Sequence, residues 1–97
     1  MNKPMILALD ADPAALQITE QLLRNRYGIN YEVVCGQSAP HALDRLHAWH
    51  TSGNQIAILI VSLRLPEMTG TDFLTSIQPL CPHAKRVFSL IEPTLRQ

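Results

Sequence analysis

The chain is short of charge, of cysteine and of long apolar runs, and each shortage removes a class of function. Only 16% of its 97 residues are charged, and eight basic and eight acidic residues cancel. With a pI near 6.9 there is no basic footprint for a nucleic acid or an anionic membrane, so neither is expected as a partner. Two cysteines, Cys35 and Cys81, stand far apart with no CxxC, which excludes the common zinc and redox motifs. No apolar run approaches the roughly 18 residues of a membrane span. The N-terminus lacks the zones of a signal peptide, since Asp10 and Asp12 follow closely on Pro4. The cytoplasm is the expected compartment. Glycines are few and scattered singly (Gly28, Gly36, Gly53, Gly70), so no glycine-rich phosphate loop is present.

What the chain does have is apolar content of 46%, enough for one core. Its densest stretch is Gln55–Ser62, an unbroken run rich in β-branched residues. The absence of alternation predicts a central parallel strand buried on both faces. Pro66 and Gly70 then turn the strand into a structured loop, Gly70 being free to take a positive φ. Such a strand delivers its last side chain, Ser62, to the carboxyl edge of the sheet, where open α/β folds place their sites.

The remaining elements follow in order. Met5–Leu9 is a short apolar strand closed by Asp10-Ala11-Asp12. Asp12 followed by Pro13 reads as a helix N-cap and first position, with the helix running to about Arg26. Its buried face is Leu16, Thr19, Leu22 and Leu23, and Gly28 suits a left-handed C-terminal cap. Tyr31–Cys35 is a more polar strand, nearer an edge. Ser38 caps a second helix from Ala39 to Trp49, burying Ala39, Ala42, Leu43, Leu46 and Trp49. A third helix from Thr71 to Gln78 buries Phe73, Leu74 and Ile77, and Arg86–Ile91 is a fourth strand. Pro93–Gln97 reads as a helix stump. Strands alternating with helices through short links imply a parallel sheet covered on both faces.

At this level of detail the residues resemble a response-regulator receiver domain. Ile6-Leu7-Ala8-Leu9-Asp10-Ala11-Asp12-Pro13 is similar to the opening strand and acidic turn of that family. Leu63-Arg64-Leu65-Pro66-Glu67-Met68-Thr69-Gly70-Thr71-Asp72-Phe73-Leu74 is similar to its P-x-M-x-G loop, and Ala42-Leu43 falls on the A-L dipeptide of its second helix. The resemblance implies a flavodoxin-like parallel sheet of strand order 2-1-3-4. It also implies one receiver-like domain over residues 1–97, shortened at its C-terminal end, with the fifth strand and last helix missing.

Receivers accept a phosphoryl group on an aspartate at the end of the third strand. Mg²⁺, held by that aspartate and an acidic pair, neutralises the charge in transfer. Carried over residue by residue, the pattern is degenerate. The acidic pair keeps Asp10, but its second member falls on Ala11, a lost metal-ligand position. The phosphoacceptor position falls on Ser62, a neutral hydroxyl that adds no charge to a metal site and needs an activating base to attack. The switch position falls on Leu90, with Ser89 one residue early and on the opposite side of its strand. Asp12 completes the acidic remnant by sequence, yet its role as N-cap turns it toward helix N–H groups.

These substitutions imply a pseudo-receiver: no catalysis, no Mg²⁺ and no other cofactor. It would act independently of phosphorylation as a protein-interaction or dimerisation module in bacterial two-component-type signalling. A signalling protein or a fused output domain is the implied partner, with a possible homodimer through the fourth-strand edge. Two other readings stand beside it: an active phosphoacceptor, and a small-ligand sensor at the carboxyl edge between the first and third strands. His41, His47 and His50 share the second helix with Asp44, but a solvated face explains them better than zinc does. Cys35 and Cys81 read as small buried or half-buried residues, and Met68 as packing.

Overall fold

The computed structural model describes residues 3–62, 65 and 67–89. Four parallel strands form one sheet: β1 (Met5–Leu9), β2 (Glu32–Gly36), β3 (Ile56–Ser62) and β4 (Lys85–Ser89), in the order β2-β1-β3-β4. Three helices connect them: α1 (Pro13–Tyr27), α2 (Ala39–Thr51) and α3 (Gly70–Ile77). The flavodoxin-like sheet expected from the sequence is therefore present. The ends expected at Leu90–Ile91 and Pro93–Gln97, and the loop residues Leu63, Arg64 and Pro66, lie outside the described residues.

The helix starts are set by local chemistry. Asp12 accepts from the Ala14 and Ala15 amides at 2.9 and 3.4 Å, with Pro13 at the first position, where its missing N–H is not needed. Ser38 accepts from the His41 amide, and Thr69 from that of Asp72. Gly28 ends α1 differently from expectation. Its φ is −61°, right-handed, and glycine is required there for room, since a Cβ would lie 2.5 Å from the Arg24 carbonyl oxygen. Lys3 donates to the Gly28 and Ile29 carbonyls just beyond the helix end. Gly70 is helical, and the positive φ among the described residues belongs to Gly53, at +81°.

Two apolar layers flank the sheet. On one face Leu7, Leu9, Leu59 and Val61 pack against Ala39, Ala42 and Leu46 of α2 and Phe73, Leu74 and Ile77 of α3. Met68 packs against this cluster as well. On the other, Ile6, Ala8 and Val33 pack against Leu16 and Leu23 of α1, with Ile58 and Ile60 only half-buried. The expectation that β3 is buried equally on both faces therefore holds on the α2–α3 side alone. Leu22 corrects the same picture. It is 61% exposed and Ala15 takes its place in the buried stripe, because the helical period carries position 22 to the flank of α1.

Candidate functional site

The carboxyl edge of the sheet is built by register. β1 and β3 are shifted at Met5/Ile6, which leaves Ala57 unmatched; from there Ile6 pairs with Ile58, and Leu9 with Val61. Asp10 therefore lies beside Ser62. In the neighbouring ladder Ser62 pairs with Ser89. Side chains alternate along a strand, and paired residues of parallel strands share a face. Asp10, Ser62 and Ser89 thus form one polar row across β1, β3 and β4, on the α1 side, just above the Ile6/Ala8 and Ile58/Ile60 layer.

Ser89, expected on the far side of its strand, is instead level with Ser62 and on the same face. The cause is the 27-residue offset between the two strands, which the packing of β4 on β3 decides and residue counting does not. Leu90 lies outside the described residues.

Two members of the row are buried, Ser89 is half-buried, and the polar atoms are unequally served. Asp10 is 7% exposed, and its Oδ1 accepts from the Asp12 amide at 2.9 Å. Its own amide donates to the Gly36 carbonyl, continuing the ladder past the end of β1 and fixing the carboxylate at the edge. Ser62 is equally buried and is engaged. The Ser89 Oγ atom is buried and has no hydrogen-bond partner among the described residues. Asp12 is spent on the α1 cap, so it faces the helix amides. Ala11, half-buried between the two acids, offers a methyl group. The edge therefore presents one carboxylate, two hydroxyls and an alanine.

Elsewhere the chemistry-bearing residues are dispersed. Among the described residues no three of His, Cys, Asp and Glu come together in a way that could hold a metal ion. His41, His47 and His50 are exposed on α2. The Cys35 and Cys81 thiols are free, and both are pushed above the ordinary thiol range, chiefly by burial. Glu20 pushes Cys35 further up, while Arg24 opposes it. A cleft of about 770 Å³ runs along the outer side of β2, lined by residues such as Glu20, Arg24, Val33, Cys35, His41 and Arg45. That cleft does not include Asp10, Ser62 or Ser89. No helix among the described residues is long and apolar enough to cross a membrane.

One interaction carried no sequence signal. Arg24 Nη2 donates to the Val33 carbonyl at 3.2 Å, while its Nε pairs with Glu20 Oε2 at 2.8 Å. The i,i+4 spacing of Glu20 and Arg24 announces their pair. The reach from α1 to the outer edge of β2 exists only once helix and strand are docked.

No protein-family model matches the chain, and no curated protein matches it. Solved structures do. The signal receiver domain of an HD domain-containing protein from Pseudomonas fluorescens Pf-5 is 26% identical, with a TM-score of 0.73 over 98% of this chain and 64% of that one. A response regulator receiver domain protein from Clostridium thermocellum is 25% identical, with a TM-score of 0.70 over 88% of this chain and 63% of that one. The bacteriophytochrome response regulator AtBRR is 24% identical, with a TM-score of 0.73 over 91% of this chain and 66% of that one. The chain thus spans slightly less than two thirds of the length of these proteins. Its fold is that of a response-regulator receiver domain.

Proposed function

We propose that this chain is a phosphorylation-independent pseudo-receiver that works as a protein-interaction module in two-component-type signalling. The observation that carries the reading is the composition of the Asp10–Ser62–Ser89 row. Phosphoryl transfer to a receiver uses a carboxylate nucleophile and a divalent cation to neutralise charge on the phosphoryl oxygens. Mg²⁺ favours hard, anionic oxygen ligands in octahedral array. Asp10 alone, beside the Ala11 methyl and the Ser62 hydroxyl, does not fit that ion. Ser62 is a neutral hydroxyl, unreactive without a base to take its proton. What the module retains is a shaped surface. In this reading its contacts include the outer edge of β4, through which two copies associate, and the face of a signalling protein or fused output domain.

The test is incubation with acetyl phosphate, or with beryllofluoride, in the presence of Mg²⁺. Intact mass and amide NMR spectra are expected to stay unchanged. A gain of one phosphoryl group, or saturable Mg²⁺ binding at low millimolar concentration, overturns the reading in favour of an active receiver.

A further inference from the structure

The cleft on the outer side of β2 lies between α1 and α2, and residues of β1, β2 and these two helices line it. Its floor is apolar, with Leu7, Leu16, Val33 and Ala42 all buried. Along its centre runs the outer margin of the strand. Glu32 donates its amide to the Pro4 carbonyl and Gly36 accepts from Asp10, so alternate positions of β2 turn their backbone groups toward β1. Val33 and Cys35 turn theirs into the cleft. Arg24 takes the Val33 carbonyl at 3.2 Å and is itself paired with Glu20. The Cys35 amide and carbonyl have no partner among the described residues.

Charge along the cleft is uneven. On the α1 wall Glu20 and Arg24 cancel. On the α2 wall His41 and Arg45, one turn apart, share a face, and neither has an ion-pair partner among the described residues. The Arg45 guanidinium lies over the Trp49 ring, 5.2 Å from its centre. That contact holds the group in place and leaves its N–H edge able to receive a carboxylate. Arg45 lies toward the Glu32 end of the strand, since the two also share a smaller recess, and His41 lies toward Gly36 and Ser38.

We propose that this cleft binds an extended acidic segment of a partner protein, which adds to β2 antiparallel, opposite Cys35. This rests on the reading of the chain as an interaction module and names the chemistry of its partner. Arg24 selects the direction. A parallel strand would bond one residue to both the Val33 carbonyl and the Cys35 amide, and that carbonyl is taken. An antiparallel residue exchanges both its bonds with Cys35 alone. Val34 packs on the α2 side of the sheet and Cys35 on the α1 side. The partner residue opposite Cys35 therefore points toward Leu16 and α1, and it should be apolar. Its two neighbours point toward α2, where Arg45 and His41 receive carboxylates. Glu32 shares the face of Val34, so a third acid in this register is repelled. The recognised pattern is acid–apolar–acid, with backbone bonds supplying affinity and alternate side chains supplying specificity.

The probe is the peptide Thr-Glu-Val-Glu-Thr, blocked at both ends and titrated into the isotope-labelled 97-residue chain. Saturable NMR shifts are expected at the Val33 and Cys35 amides and the Arg45 side chain. The peptide Thr-Gln-Val-Gln-Thr should bind about tenfold more weakly, as should the acidic peptide to Arg45→Gln, because each loses a charge-assisted contact. A nitroxide on the peptide N-terminus should broaden Gln37 and Ser38 and spare Tyr31. Shifts that miss β2, equal binding of the glutamine peptide, or broadening at Tyr31 instead overturn the proposal. So do concentration-dependent shifts of the same amides without peptide, which make a second copy the occupant. Absence of binding by a chain that also ignores acetyl phosphate removes this site and leaves the pseudo-receiver reading standing. Binding by a chain that takes up a phosphoryl group does the reverse.

Discussion

Ser89→Ala is expected to make the protein more stable, against the usual direction of a substitution in a sheet. Ser89 Oγ is buried with no partner among the described residues, so folding strips the hydroxyl of water and returns nothing. A buried polar group left in that state costs about 1–3 kcal/mol. Alanine removes the donor and acceptor, keeps the Cβ, and leaves a void no larger than one oxygen atom. The residue is only half-buried overall, which argues for the lower end of the range, so the expected gain is about 1 kcal/mol. For a domain of this size that corresponds to a rise in Tm of about 4–8 °C. Urea titration with a common m-value, alongside thermal melts, reads the change. Thr19→Val provides the contrast. Thr19 is also buried, but its Oγ1 donates to the Ala15 carbonyl at 3.1 Å, so losing that hydroxyl should cost rather than gain. A loss of stability in Ser89→Ala comparable to that in Thr19→Val would refute the reasoning, because it would mean that the Ser89 hydroxyl is satisfied in solution.

Two further outcomes follow from the same geometry. The double substitution Ala11→Asp/Ser62→Asp sets two new carboxylates beside Asp10; without metal their repulsion should lower Tm, and Mg²⁺ should restore it by binding only the folded state. If Mg²⁺ protects the double variant no better than the parent, the three positions do not share one cleft. Stability should also fall in alkali: burial raises the Cys35 and Cys81 thiols above the 9.0 of an unperturbed group, so the folded state holds protons that the unfolded chain releases. Their contribution is full below pH 9 and is lost as pH rises through the raised folded values, and a Cys35→Ser/Cys81→Ala protein should show a shallower decline in urea melts above pH 9.

Sequence alone determined the features whose physics is local. Met5–Leu9 is apolar from end to end and forms β1 over those same residues. Asp12-Pro13 and Ser38 cap their helices because a short oxygen-bearing side chain three residues ahead of an amide needs no distant help. The acidic turn and the P-x-M-x-G loop stood at receiver spacing, and the solved receiver structures share the fold. Tertiary structure decided what depends on how elements meet. Leu22 looked like core by periodicity and is exposed, because among the described residues only one flank of α1 meets packed sheet. Ile58 and Ile60 looked fully buried and are not, for the same reason. Gly28 is needed for space against the Arg24 carbonyl, a contact that a φ-based argument does not see. Arg24 takes the Val33 carbonyl by reaching nine residues along the chain to a neighbouring strand. Ser89 joins Asp10 and Ser62 through a ladder register, which is set by the burial of whole strands against their neighbours and so cannot be counted from a motif.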